Sequence, residues 1–375
     1  MKTSHSYSQS QLTGSVVSSL VWPLIRWPDV IPKLSFSVSF FPFVGVILAL
    51  CISLAQAFVF QEARFLKSLE LLPWLIAIVF VGLPHGATDY RVLSLARSKH
   101  QSVFLFAVYT LVVLSMFGLL VAFPAWSVGF FLLISMWHFG HAGIVSLNEP
   151  PRSFGSSGLM WFARSSVVLG MPLFAHADAT RSVVDGMTQC VNPVRDAFHL
   201  GIIDFQVFSL AFVQSIGTLF LILGFCVWCF EGMRSVWLFA VKKNSSDFNR
   251  YAREVAVFSL FACLGWCASP LLSVGTFFLW WHSWREIPDI AASLSPAPLC
   301  DAKKYTTWQS VRLIHEAALP LLIPSWILLF LMWWCLAPVH TFYYLVVVSL
   351  IFYLIVTPSH EWLAQVLSRQ PCVRT

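Results

Sequence analysis

The sequence predicts an all-α fold, a polytopic bundle of about ten transmembrane helices with both termini in the cytoplasm. Composition is the first reason. Of 375 residues only 11% are charged, against 58% hydrophobic and 16% aromatic, which is too little charge to cover a water-soluble protein of this length. The second reason is that the apolar residues fall into runs of spanning length, since about 20 residues at 1.5 Å rise cross a hydrocarbon core of about 30 Å. The third is the placement of the basic residues. It alternates along the chain as the preference for cytoplasmic Lys and Arg requires.

Residues 1–35 are polar and Ser-rich after Lys2, unlike a signal peptide, and Trp22 and Trp27 suit a segment lying at the membrane surface. Spans then follow at about 36 to 60, 72 to 90, 103 to 123, 126 to 147, 158 to 177, 203 to 230, 254 to 269, 270 to 287, 313 to 336 and 339 to 362. The stretch from 254 to 287 is cut at Ser269-Pro270, because one helix of that length would overshoot the bilayer and Pro cannot continue the ladder. With the N-terminus inside, 18 of the 23 basic residues fall in cytoplasmic segments. The outer segments hold only Arg64, Lys67, Arg181 and Arg195, and Arg164 lies inside a span, where snorkelling would carry its charge to the boundary.

The outer loop from 178 to 202 has room for a short surface helix, and segments 231 to 253 and 288 to 312 read as solvated. No internal repeat is found, so residues 36–365 form one membrane domain and 366–375 a cytoplasmic tail. The chain is a multi-pass protein of the cell inner membrane, with the bilayer as its medium. A net charge of +6 reflects basic cytoplasmic loops and implies no nucleic-acid partner. The nine cysteines are scattered, and the CxxC of Cys226 and Cys229 lies in an apolar run with no second pair. The oligomeric state is open.

Ionisable groups inside such spans carry the functional reading, because they are costly in lipid. Gly82-Leu83-Pro84-His85-Gly86-Ala87-Thr88-Asp89-Tyr90 places a histidine between helix-loosening residues. Trp137-His138-Phe139-Gly140-His141 and Trp281-His282-Ser283-Trp284-Arg285-Glu286 supply two more. The spans holding His85, His138 and His282 run in the same direction. Each histidine lies 12 or 13 residues from the outer end, a depth of roughly 18 to 20 Å. One layer therefore collects three imidazoles. Glu286 is one turn from His282 on the same face and can join it on one ion, or else pair with Arg285 at the membrane boundary. Asp89, four residues after His85, is placed to orient that imidazole. His141 is a further ligand or a hydrogen-bonding helix residue, and Trp137, Phe139, Trp281 and Trp284 are candidate pocket walls. His360 counts deeper toward the cytoplasm and is left unassigned.

Three imidazoles and a carboxylate suit a transition metal, with non-haem Fe(II) and zinc the main candidates. A cavity in the bilayer favours a lipophilic polyene reached from lipid, and iron can bind O2 beside it. The competing class is a transporter or proton relay whose His, Asp and Glu line a polar path. Metal content separates the two. A retinal-binding opsin is excluded because no lysine falls inside a span.

From about residue 72 to 362 the chain resembles the Brp/Blh-type membrane β-carotene 15,15'-dioxygenases. GLPHGATDY is similar to that family's GxPHGAxD element, WHFGHA to its HFG element and WHSWRE to its HSxRH element. Pro172, Pro270 and the final TPSH fall where the family tends to carry prolines and a last Pro-His. The resemblance implies O2-dependent cleavage of the central double bond of β-carotene into two molecules of retinal, at an iron held by four histidines. Those ligands fall on His85, His138, His282 and position 286, where Glu286 stands instead. Gly143 replaces the family's aspartate after HFG, and Ser359 separates the last Pro from His360.

Overall fold

The structure, a computed structural model, describes residues 36–58, 64–145, 154–203, 209–242, 245–294 and 305–368. The N-terminal segment with Trp22 and Trp27, and the tail beyond 368, lie outside these. The secondary structure of the described residues is helical throughout. Helix α1 (Phe36–Phe58) and the short α2 (Arg64–Leu69) lead into a broken helix made of α3 (Leu72–Ile76), a π-helical turn (Ala77–Val81), α4 (Gly82–Ala87) and α5 (Asp89–Ala96). Helix α6 (Lys99–Ala122) starts with a capping box of Ser98 and Gln101. It is followed by α7 (Pro124–Val145), α8 (Phe154–Ala175), α9 (Ala177–Ala197), α10 (Leu210–Lys242) and α11 (Ser245–Cys267).

The break at Ser269-Pro270 forms where the sequence requires it. The Ser269 hydroxyl accepts from the Leu272 N–H and caps α12 (Pro270–Thr276), with Pro at the first helical position, where its missing donor costs nothing. A second π-helical turn (Phe277–Ser283) joins α12 to α13 (Trp284–Ser293). Helices α14 (Thr307–Leu336), opened by a Thr306 and Gln309 capping box, and α15 (Phe342–Ser368) complete the bundle.

Among the described residues, each expected apolar run contains helix. Six stretches among the described residues, Phe41–Phe58, Lys67–Leu95, Lys99–Ala122, Leu210–Val241, Thr307–Leu336 and Phe342–Val366, are long and apolar enough to cross a membrane. Two expectations change. Segment 178 to 202 holds the 21-residue α9, whose Met187, Cys190 and Val191 bury one face against α15. Residues 231 to 242, expected as a solvated segment, form the last turns of α10, where buried Glu231 pairs with Arg234 at 2.9 Å.

Small residues let helices approach without a hydrophobic drive between them. A Cβ on Gly217 of α10 would lie 2.6 Å from the Phe174 nitrogen of α8. Arg195 of α9 donates to the Val121 and Ala122 carbonyls at the end of α6, a cation on carbonyls the helix itself leaves unpaired. Two large apolar clusters result, beside a small one of Leu173, Ala177 and Val213. One gathers Trp74, Leu120, Met187, Leu322 and Ile351, and the other Val46, Met136, Leu169, Phe261 and Leu264. The second π-turn lies between them, with Phe277 in one cluster and Phe278 and Leu279 in the other, and Phe139 of α7 touches both.

Candidate metal centre

The polar residues of the bundle meet at this junction. On the first broken helix, Pro84 has no N–H for the Phe80 carbonyl. The ladder ahead of it widens to the π register, where the Gly82 N–H reaches the Ala77 carbonyl. Trp326 of α14 donates to the Ile78 carbonyl at 3.1 Å. Thr88 donates to the His85 carbonyl at 2.7 Å where α4 ends. The loosening expected around His85 is thus present on both sides of it. His282 lies within the other π-turn, whose exit is set by the Trp284 N–H on the Leu279 carbonyl; such turns widen a helix and redirect side chains. His138 is carried by α7, which can approach α8 because Gly140 faces the Trp161 main chain, where any Cβ would collide.

The structure brings His85, His138 and His282 together, and adds His360 of α15. Ring centres lie 5.6 Å apart for His85 and His282, 4.5 Å for His282 and His138, 5.4 Å for His138 and His360, and 5.3 Å for His360 and His85. Three carboxylates surround them. Glu286 approaches His85 Nε2 at 3.3 Å and His282 Nδ1 at 3.7 Å. Glu361 meets His138 Nδ1 at 2.8 Å while accepting from Trp137 Nε1 at 2.7 Å and Gln365 at 3.1 Å. Asp89 meets His360 Nδ1 at 2.7 Å.

His85, His282 and Glu286 each offer a donor atom within 4.8 Å of the others and are able to hold a metal ion. The donor set fits one. Nδ1 of His85 and of His282 are buried without a hydrogen-bond partner among the described residues, at a cost of about 1–3 kcal/mol each. Neutral nitrogens and a carboxylate in an apolar surround are ligands for a first-row transition metal.

A cavity of about 260 Å³ opens against this cluster. All four histidines line one end; Phe106, Phe131, Phe139, Phe278, Phe352 and Tyr353 are among its other walls. Thr110 of α6 and Leu328 of α14 also line it and are exposed on the flank of the bundle. The cavity therefore opens at the surface of the bundle.

Several sequence expectations need correction. Asp89 holds His360 rather than His85. Of the four aromatic residues expected as walls, only Phe139 lines the cavity. Trp137 is spent on Glu361, Trp281 lies under the Arg285 guanidinium at 4.4 Å, and Trp284 packs on Phe41 and Trp280. Glu286 faces the histidines, and no ion pair joins it to Arg285 among the described residues. Arg164 does not snorkel: it is 5% exposed and forms a two-pronged pair with Glu254 at 2.5 and 3.1 Å. The His141 side chain lies outside the described residues.

His360 and Glu361 were the residues missed. Their signal was the placement of two ionisable groups next to each other in an apolar span, but residue counting put them too deep. Counting along a helix equals depth only if the helix stands upright.

Fold and site define a class first: a helical membrane protein with a buried imidazole and carboxylate cluster facing an apolar cavity. The family follows from comparison with known proteins. The family model of Beta-carotene 15,15'-dioxygenase matches residues 76–368, and the chain belongs to that family. It is similar to a Beta-carotene 15,15'-dioxygenase of an uncultured marine bacterium, 66A03, with 28% identity over 228 residues, covering 58% of this chain and 69% of the relative. No solved structure matches.

Proposed function

We propose that the protein is an iron-dependent carotenoid dioxygenase of the inner membrane, which cleaves the central double bond of β-carotene or a related carotenoid with O2 to give retinal. One observation supports the reading: in a chain of this family, a cluster of imidazoles lines a mostly apolar cavity. In this reading His85, His138, His282 and Glu286 hold Fe(II). The bound iron would supply O2 activation beside the substrate.

The remaining work falls to the protein. Glu361 and Asp89 each engage an Nδ1, which fixes the ring of His138 and of His360 and leaves Nε2 as the nitrogen turned to other partners. A hydrocarbon polyene offers no charged handle, so the phenylalanine walls must set which double bond lies at the histidines. Those walls also keep water from the reacting carbons. Ten spans with both termini in the cytoplasm complete the proposed arrangement.

The test is chromatography of pigments from a bacterial host that accumulates β-carotene, with and without this chain. Loss of β-carotene with gain of retinal is expected. An iron-loaded chain that leaves the pigment intact would overturn the reading.

A further inference from the structure

We infer that His360 is an additional ligand of the iron and supplies the fourth imidazole of the site. This rests on the proposed iron-dependent function and extends its ligand set, which the family motifs place only on the histidines of the second, fourth and eighth spans and on position 286. The spacing of the rings argues for it. An imidazole bound at about 2.1 Å puts its ring centre about 3.3 Å from the ion, so two rings at 90 to 109° from one another lie about 4.6 to 5.4 Å apart. The circuit from His85 through His282, His138 and His360 back to His85 has steps of 5.6, 4.5, 5.4 and 5.3 Å. His360 closes it at the same spacing as the motif histidines.

The chemistry of the ring agrees. Its Nδ1 is on the Asp89 carboxylate at 2.7 Å, the pairing that orients a ligating histidine and makes its other nitrogen more basic. His138 has the same support from Glu361. His360 also lines the cavity with His85, His138 and His282, whereas Glu286, 3.3 Å from His85 Nε2 and 3.7 Å from His282 Nδ1, does not line it. Position 286 lacks the imidazole that the family motif carries. An imidazole from α15 replaces it, and Glu286 remains as an anionic donor.

X-ray absorption at the iron edge of the purified full chain counts the imidazoles without any substitution. Four are expected in the wild type, and three in His360→Ala, whose iron should be lost to a chelator about 10-fold or more faster and be recovered when free imidazole is added. Asp89→Asn should keep four imidazoles but hold iron more weakly. A wild type with iron and only three imidazoles, or a His360→Ala variant with unchanged absorption and iron content, would overturn the inference alone. A wild type that binds no iron, or a His85→Ala variant that keeps all of it, would remove the proposed function as well.

Discussion

At the scale of residues, two of the four histidines, His138 and His360, are each held by a carboxylate, and the carboxylates are where substitutions should speak most clearly. Glu361→Gln keeps the shape of the side chain but weakens its hold on His138. Iron affinity should fall about 10- to 100-fold, as for other partners of ligating histidines, measured by competition with a chelator; an unchanged affinity would mean that His138 needs no orienting anion. Glu286 separates two roles. If it donates to the ion, Glu286→Leu loses iron, whereas Glu286→His keeps iron and keeps or raises retinal output. Equal iron and retinal in the wild type and the leucine variant would show that Glu286 is only a neighbour. The motif histidines were legible because Pro, Gly and polar residues in an apolar run have few bland explanations. His360 was not, because its partner Asp89 is 271 positions away and no local spacing reports such a contact.

At the scale of elements, two π-helical turns distinguish the helices that carry His85 and His282 from their neighbours. The first was partly legible, since Pro84 removes a donor and the ladder must adjust. The second was not: Phe277–Ser283 contains neither Pro nor Gly, and its register is imposed by packing between two apolar clusters. The break at Ser269-Pro270 was legible in full, from length and from proline chemistry together. The arrangement of α7, α8 and α11 depends on a buried ion pair, with Arg164 reaching both Glu254 and the Gly140 carbonyl. Arg164→Leu would strand Glu254 and should destabilise the protein by about 3–5 kcal/mol, while Arg164→Leu with Glu254→Leu should recover most of that loss. Unfolding in detergent compares the variants, and a double variant as weak as the single one would contradict the pairing.

For the whole molecule, the proposed topology makes a sharp forecast. Reporter fusions after Asn148, Asn244 and Arg374 should all lie in the cytoplasm, because the 18 basic residues there outweigh the few outside. An outside signal after Asn244 would break the common direction of the spans that carry the motif histidines. Their shared depth was read from that direction, and the clustering of His85, His138 and His282 agrees with it.

The opening of the cavity, where exposed Thr110 and Leu328 line it, changes what substrate concentration would mean under the proposed function. A polyene that arrives through lipid is dissolved in the bilayer, and the lipids around it compete for the same opening. Half-saturation should then follow the mole fraction of carotenoid in the membrane rather than its amount per volume of buffer. In proteoliposomes, adding plain lipid at constant total carotenoid should slow turnover in proportion to the dilution, and restoring the ratio should restore the rate. A rate set by total carotenoid alone would place the opening on the aqueous side.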